Sequence, residues 1–245
     1  AGKAENRTHT LDIEYDGQAV NDAVFSWKDM PFSIPRDFIK GVYPVDYWSP
    51  QFLDLYGSTL KRAKEHNAQW VAVTSVWSYG QIDPYPVVET RPVKADCPIT
   101  PKEDLIKTIE MVHSMGMNAF IVPQFNMEMT PNGSDLWGTH SNAWWDRWFE
   151  EAEKLYMYHA EIAQKCNAEM LLLPGPGYHV FPQESQFADA SYVSTFDQKM
   201  QALIGKVRER YSGLLMVNGS SLLYNFPRLA DYIGITSFDW GSALN

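Results

Sequence analysis

The sequence predicts an α/β protein, a (β/α)8 TIM barrel of which about six βα units lie within the 245 residues. From Asp37 onward, short runs of apolar and β-branched residues alternate with amphipathic helical segments, which is typical of a parallel sheet covered on both faces. The segments after the strands are long and those before them are short, as in barrels with sites at the carboxyl ends of the strands. A doubly wound sheet is disfavoured because no glycine-rich nucleotide turn follows the first strand.

The first 36 residues differ from the rest of the chain. Leu11, Ile13 and Tyr15 alternate with polar residues, and Asp16-Gly17 then marks a turn, so the pattern indicates a β-hairpin. We expect residues 1–36 to form an N-terminal β-like segment, or the tail of a preceding domain, followed by a linker. Residues 37–245 are expected to form the barrel, with its last units beyond the end of this sequence.

Strands and helices are predicted from apolar periodicity and from helix start and stop signals. In chain order they are strand 38–43, helix 49–66, strand 69–76, helix 100–116, strand 118–123, helix 142–165, strand 169–173, helix 195–211, strand 214–217 and strand 232–237. Ser49 is the expected N-cap of the first helix, with Pro50 at its first position. Thr100 and Glu103 are expected to form a capping box at the start of the second helix. His159 lies on the apolar stripe of the third, which predicts a buried structural histidine rather than a ligand.

The composition disfavours several classes of function. The 30 acidic and 20 basic residues give a formal net charge of −10, so a nucleic acid is not an expected partner. No segment approaches the roughly 18–20 consecutive apolar residues of a membrane helix, so no membrane span is expected. Cys97 and Cys166 do not form metal-ligand spacing with the histidines, and we therefore expect no metal and no other cofactor.

Three N-x-[S/T] triplets make Asn6, Asn132 and Asn218 candidate glycosylation sites, although such triplets also arise by chance. Together with two cysteines and an aromatic content of 14%, they favour an extracellular or cell-surface protein.

The residues that follow the predicted strands combine aromatic, amide and acidic side chains. They are Trp77, Gln124, Asn126, Trp137, Tyr178, His179, Asn218, Asp239 and Trp240. We expect these side chains to converge, because the carboxyl ends of parallel strands meet on one face of a barrel. Aromatic rings stack on sugar rings while amides and acids bind hydroxyl groups, so the set predicts a carbohydrate site. Trp77 and Trp240 directly follow strands, and capping of the barrel core is an equal alternative for both.

Several segments between residues 39 and 238 form an ordered series. They are the strand 68–73, the helix-to-strand segment 100–122, the turn 136–138, the helix 144–163 with the strand start 168–170, the helix end 207–213 and the strand 229–235. In this order they resemble the retaining β-mannanase-type enzymes of glycoside hydrolase family 113, which are TIM barrels. The resemblance implies a glycan partner and, for an active member, hydrolysis of O-glycosyl bonds with retention.

Two departures from the family pattern affect the expected activity. The family places its acid/base glutamate after the fourth strand, and Pro176 stands at the matching position here. The family's nucleophile follows a seventh strand, which would lie beyond residue 245. Retaining hydrolysis needs two carboxyl groups about 5–5.5 Å apart. Glu184, eight residues further along the same loop, replaces the acid only if that loop folds back.

We therefore expect an extracellular, catalytically degenerate glycoside-hydrolase-like barrel. It binds polysaccharide or another glycan, or it has a structural role beside other domains of a longer protein. The alternative is an active retaining glycosidase whose carboxylates are rearranged or lie beyond residue 245. A third hypothesis, an unrelated α/β enzyme for another small molecule, would require a phosphate-binding turn or a metal triad, and the sequence contains neither.

Overall fold

The computed structural model describes residues 14–15, 18–19, 40–44, 51–89, 99–126, 136–177, 181–218 and 223–234. The chain divides into two compact units, Ala1–Phe38 and Ile39–Asn245. In the first unit, β1 (Glu14–Tyr15) and β2 (Gln18–Ala19) pair antiparallel, which agrees with the predicted hairpin.

The second unit alternates strands and helices along the chain. Its elements are β3 (Gly41–Val42), α1 (Gln51–Glu65), β4 (Trp70–Gln81), β5 (Val87–Glu89), α2 (Lys102–Ser114), β6 (Asn118–Asn126), α3 (Asn142–Cys166), β7 (Met170–Leu173), α4 (Tyr192–Arg208), β8 (Leu214–Asn218) and β9 (Tyr232–Gly234). Short 3-10 helices occur at Glu184–Gln186 and Phe226–Leu229.

Six strands pair in parallel, in the order β3-β4-β6-β7-β8-β9, and β5 adds to β4 in the antiparallel sense. The spatial order of the parallel strands is their order in the chain. Such a curled sheet with intervening helices is a partial (β/α)8 barrel, and the predicted fold class is confirmed. In the described part of the chain, no helix has both the length and the apolar character needed to cross a membrane.

The two faces of the sheet bury different clusters, because side chains alternate along each strand. Ala72, Val122 and Leu172 form a small cluster on the concave, inner face. Val71 and Ile121 belong to a much larger cluster between the sheet and the helices. That layer is rich in fully buried aromatic residues, among them Trp145, Trp148, Tyr156 and Phe196. The main core of the unit therefore lies outside the sheet, under the helices.

One predicted capping interaction is wrong. Pro101 occupies the N-cap position of α2 and makes no side-chain capping bond. Thr100 is buried instead beside β4, where its Oγ1 accepts a hydrogen bond from Val76 N at 2.9 Å and its own N–H donates to Val76 O at 3.0 Å. β3 pairs with β4 at Trp70 and Val71, and β5 pairs with it from Ser78 onward. Thr100 satisfies backbone groups of β4 between these two partners, and that requirement outweighs helix capping.

Candidate glycan-binding site

Strand register places two of the predicted amide residues on the inner face, at the carboxyl ends of the strands. Gln124 of β6 pairs with Val76 of β4. Asn218 of β8 pairs with Gly234 of β9. Paired residues of parallel strands point to the same face, so Gln124 and Asn218 lie on the face that carries the inner cluster. This edge of the concave sheet is the candidate glycan-binding site.

The position of the Asn218 amide depends on the absence of a side chain at Gly234. A Cβ atom placed on Gly234 would lie 2.4 Å from Asn218 Oδ1 and 3.2 Å from Met216 Sδ. Atoms cannot approach that closely, so the glycine makes room for the Asn218 amide beside β9.

A groove of about 360 Å³ runs along the inner face below these amides. Its lining is mainly apolar and includes Ala72, Phe120, Leu172 and Met216, with Asn218 at the carboxyl end. The interior of a (β/α)8 barrel is a packed core and not a ligand channel. We therefore assign the apolar part of the groove to the barrel interior and its amide end to the candidate site.

Trp77 lies on the opposite face of the sheet from this site. It is only 5% exposed, and its ring packs against Tyr158 at a centroid distance of 5.0 Å and against His159 at 5.7 Å. Both partners belong to α3. Trp77 is thus a core residue of the sheet–helix layer. It faces neither a cleft nor the barrel interior, so neither predicted position is correct, and we exclude it from the candidate site.

His159 has the predicted structural role. The side chain is fully buried, Nδ1 lies 2.7 Å from Leu155 O, and Nε2 lies 2.7 Å from Ser75 Oγ. Burial lowers the pKa of His159 to about 4, so the ring is neutral at pH 7. Since a carbonyl can only accept, Nδ1–H donates to Leu155 and the Ser75 hydroxyl donates to Nε2. The pair ties α3 to β4 and is closed to any substrate.

The loop after β7 is held by two buried tyrosines that sequence reasoning did not identify. The hydroxyl of Tyr79 donates to Pro176 O at 2.7 Å, and that of Tyr156 donates to Pro174 O. Trp148 Nε1 in turn donates to the Tyr79 hydroxyl at 3.0 Å. Burial raises the pKa of Tyr79 and of Tyr156, so both stay protonated and act as donors. These contacts join residues distant in sequence, and no local pattern indicates them.

Pro176, at the expected acid/base position, is buried within this anchored loop. Glu184 lies further along, in the 3-10 helix Glu184–Gln186, and its side chain is exposed. Thr139 Oγ1 donates to Ser185 O at 3.0 Å, which ties this 3-10 helix to the turn before α3. The helix is thus attached beside Trp137, which is 41% exposed.

The remaining predicted site residues lie outside the described residues. They are Tyr178, His179, Asp239 and Trp240, the glycosylation candidates Asn6 and Asn132, and the side chain of Asn126, whose backbone pairs with Ser78. Their roles stay predictions. Among the residues that are described, no group of three His, Cys, Asp or Glu side chains is arranged to hold a metal ion.

The parallel strand order defines a partial (β/α)8 barrel that carries two amide residues at the carboxyl ends of its strands. Comparison of the sequence with known families gives a match to glycoside hydrolase family 113 over residues 56–225. The match covers more than half of the chain, which therefore belongs to this family, as the motif series predicted. Membership removes the hypothesis of an unrelated α/β enzyme. Among curated proteins, none matches this chain.

Solved structures of the same family show the same fold. A GH113 β-1,4-mannanase matches with 20% identity and a TM-score of 0.57, over 80% of this chain and 61% of the mannanase. The GH113 β-mannanase AaManA of Alicyclobacillus acidocaldarius, solved in complex with ManMIm, matches with 15% identity and a TM-score of 0.52, over 73% of this chain and 53% of that one. The chain thus spans about three fifths of the length of the first mannanase.

Proposed function

We propose that this protein is a catalytically degenerate member of glycoside hydrolase family 113 that binds a β-mannan-type glycan at the carboxyl ends of its strands. The observation that carries the proposal is the chemistry at Pro176, where the family pattern calls for the glutamate that gives and takes the proton. Proline has no ionisable group, and a retaining mechanism requires a proton donor at the glycosidic oxygen.

The environment of Pro176 supports this proposal. The residue is buried, and its carbonyl oxygen already accepts the hydroxyl hydrogen of Tyr79 at 2.7 Å. A second bond, from Tyr156 to Pro174 O, fixes the start of the same loop. Both anchors oppose a shift that would bring another residue of the loop to this position.

Glycan binding is supported by the side chains on the inner face. Asn218, which is half-buried, supplies an amide group that can both donate and accept hydrogen bonds, as sugar hydroxyls require. Gln124 is only 5% exposed, so its amide forms the floor of the site. Trp137, which is 41% exposed, supplies an aromatic face in the βα loop that follows β6. Asn218 was predicted both as a sugar contact and as a glycosylation site, and these two roles exclude each other. Its position on the inner face beside Gly234 favours the contact.

The experiment is a paired assay of binding and hydrolysis on β-mannan, β-glucan and xylan. We expect β-mannan to retard the protein in affinity electrophoresis while no reducing sugar is released. Asn218→Ala should weaken the retardation, and Leu55→Ala, an exposed substitution on α1, should not. Binding of none of the three glycans, or undiminished binding by Asn218→Ala, would contradict the proposed site.

The alternative function is an active retaining glycosidase that uses Glu184 as its acid. The observation in its favour is that Glu184 is exposed on a 3-10 helix tethered to the start of α3, in the same loop as Pro176. Release of reducing sugar by the wild type, abolished in Glu184→Gln, would establish this alternative. Hydrolysis that Glu184→Gln leaves unchanged would refute degeneracy and place the acid elsewhere.

We further propose that the protein acts outside the cell or at its surface, beside other domains of a longer protein. The triplets at Asn6 and Asn132 support export. Peptide mass spectrometry of the protein from its native source, before and after enzymatic removal of N-glycans, tests this proposal. A glycan on either asparagine supports export, and unmodified asparagine at both positions counts against it.

A further inference from the structure

We propose that Tyr85 is an outer sugar-stacking residue, which together with Trp137 extends the glycan-binding surface beyond the strand ends and selects long chains over short ones. The inference rests on the proposed function. Tyr85 is 45% exposed and Trp137 is 41% exposed. Single exposed aromatic residues are ordinary on protein surfaces, so the argument depends on how these two are held.

Tyr85 lies at the tip of a hairpin that rises above the sheet. β4 pairs with β6 as far as Ser78 and then continues to Gln81, while β5 returns from Val87 and pairs with Ser78 through Glu89. Three additional residues at about 3.3 Å each carry the strand about 10 Å past the last pair with β6. The tip, residues 82–86, therefore stands at the carboxyl side of the barrel, where barrel sites lie. We call residues 78–89 the rim hairpin.

The tip of the rim hairpin is restrained on both sides of Tyr85. Pro84 and Pro86 flank it, and a proline both fixes its own φ and restricts the residue before it. Gln81 Nε2 donates to the carbonyl of Tyr85 at 3.0 Å across the turn. The backbone that carries the exposed ring is thus ordered before any ligand arrives, which lowers the entropic cost of binding.

The rim hairpin is also fixed to the helix layer by a buried carboxylate. Glu151 of α3 is 2% exposed and accepts a hydrogen bond from Val88 N at 3.3 Å. Arg147 and Lys154 each pair with Glu151 at 2.7 Å, so the buried charge is compensated. Burying a carboxylate is costly, and here it holds the returning strand of a surface hairpin.

Tyr85 and Trp137 are supported by the same group of residues at the start of α3. Trp144 Nε1 donates to Ile82 O, at the base of the tip, at 2.8 Å. The Trp144 ring stacks on that of His140 at 3.8 Å with an interplanar angle of 13°. His140 Nε2 lies 3.1 Å from Leu136 O, and Leu136 is the residue before Trp137. The backbone segments that carry the two exposed rings are therefore connected through a buried aromatic pair, Trp144 and His140.

Two exposed aromatic rings on restrained backbone segments suit a linear polysaccharide. Each ring can stack on the apolar face of one sugar, and the rings lie outside the inner face that holds Gln124 and Asn218. A short oligosaccharide fills the inner face alone, whereas a long chain also reaches the outer rings. Chain-length dependence of the affinity is the property that distinguishes this role from a merely structural one.

The test compares a mannan-type oligosaccharide of two units with one of six units and with soluble mannan, by calorimetry and affinity electrophoresis. For Tyr85→Ala we expect about threefold to tenfold weaker binding of the six-unit sugar and of the polymer, with binding of the two-unit sugar unchanged. Tyr85→Phe keeps the ring and should bind as the wild type does. Leu55→Ala is the exposed control away from the rim hairpin.

The possible results separate the two proposals. If the wild type binds glycan and Tyr85→Ala binds the long chains equally well, the inference is overturned and the proposed function remains intact. Equal weakening for all three ligands also overturns it, because the inner site would then have been disturbed. A wild type that binds none of the three ligands refutes the proposed function, and this inference with it.

Discussion

The hydroxyl group of Tyr79 donates a 2.7 Å hydrogen bond to the carbonyl oxygen of Pro176, 97 positions further along the chain. The bond links the carboxyl-terminal part of β4 to the loop after β7, at the position where the family's proton donor is expected. Both groups are buried, and Tyr79 is also the acceptor for Trp148 Nε1. The loop is thus held by the core of the protein itself.

Tyr79→Phe should destabilise the fold by about 1–3 kcal/mol, because it leaves the Pro176 carbonyl and the Trp148 N–H buried without this partner. The free energy of unfolding in urea measures the effect. Tyr85→Phe, which removes an exposed hydroxyl, is the matched control and should fall within about 0.5 kcal/mol of the wild type. Equal stability of the two variants would show that the Tyr79 bond contributes nothing.

The burial of His159 predicts that the stability of the fold decreases in acid. Its pKa is lowered to about 4 in the folded protein, against an ordinary histidine value of 6.5, so the unfolded chain binds more protons between these values. Stability therefore rises with pH across that window, is complete above about pH 6.5, and is lost as the pH falls towards 4. The shift corresponds to roughly 3 kcal/mol.

Unfolding free energies measured between pH 4 and pH 7.5 test this prediction. His159→Gln should be less stable than the wild type at pH 7.5, but its stability should depend less on pH across the window. His66→Gln, at an exposed position after α1, should keep the slope of the wild type. An unchanged slope in His159→Gln would assign the acid sensitivity to other groups.

A third prediction concerns Asp197, a buried carboxylate on α4. It accepts hydrogen bonds from the backbone N–H groups of Asn225 and Phe226, each at 2.8 Å, and thereby caps the 3-10 helix after β8. Asp197→Ala should cost about 2–4 kcal/mol, since the buried N–H of Phe226 and the partly buried N–H of Asn225 lose a charged acceptor. Thermal unfolding of Asp197→Ala measures this loss of stability, with Asp54→Asn, an exposed substitution on α1, as the control. A decrease in melting temperature no larger than that of the control would contradict the prediction.

Sequence patterns identified the elements whose cause is local. The apolar runs located the parallel strands, and the stripe of α3 predicted both its length and the burial of His159. The carboxyl ends of strands were placed less well. β4 continues to Gln81 rather than ending at residue 76, and the short strand β5 was not predicted. Both depend on mutual pairing and on the buried Glu151, which no periodicity reveals.

Only those features of the candidate site that depend on local strand position could be predicted from the sequence. Gln124 and Asn218 follow from strand position alone, because register brings paired residues to one face. Correct placement of Trp77 requires knowing which face of the sheet its side chain occupies, because a shift of one residue moves a side chain to the other face. Thr100 was assigned to a helix cap, but it instead bonds to the N–H and C=O groups of Val76 in β4.

Gly234→Ala provides the most direct test of the inner-face site. The added methyl group would lie 2.4 Å from Asn218 Oδ1, so the amide must move away from its position beside β9. We expect glycan binding to weaken by an amount comparable to that of Asn218→Ala, and the double variant to be no worse than either single one. Gly205→Ala, on α4 with no atom within 4 Å of the new methyl group, is the control and should leave binding unchanged while stabilising its helix slightly. Affinity electrophoresis on mannan with all four variants measures these effects. Wild-type binding by Gly234→Ala, or full additivity of the two losses of binding in the double variant, would show that Asn218 does not contact the glycan.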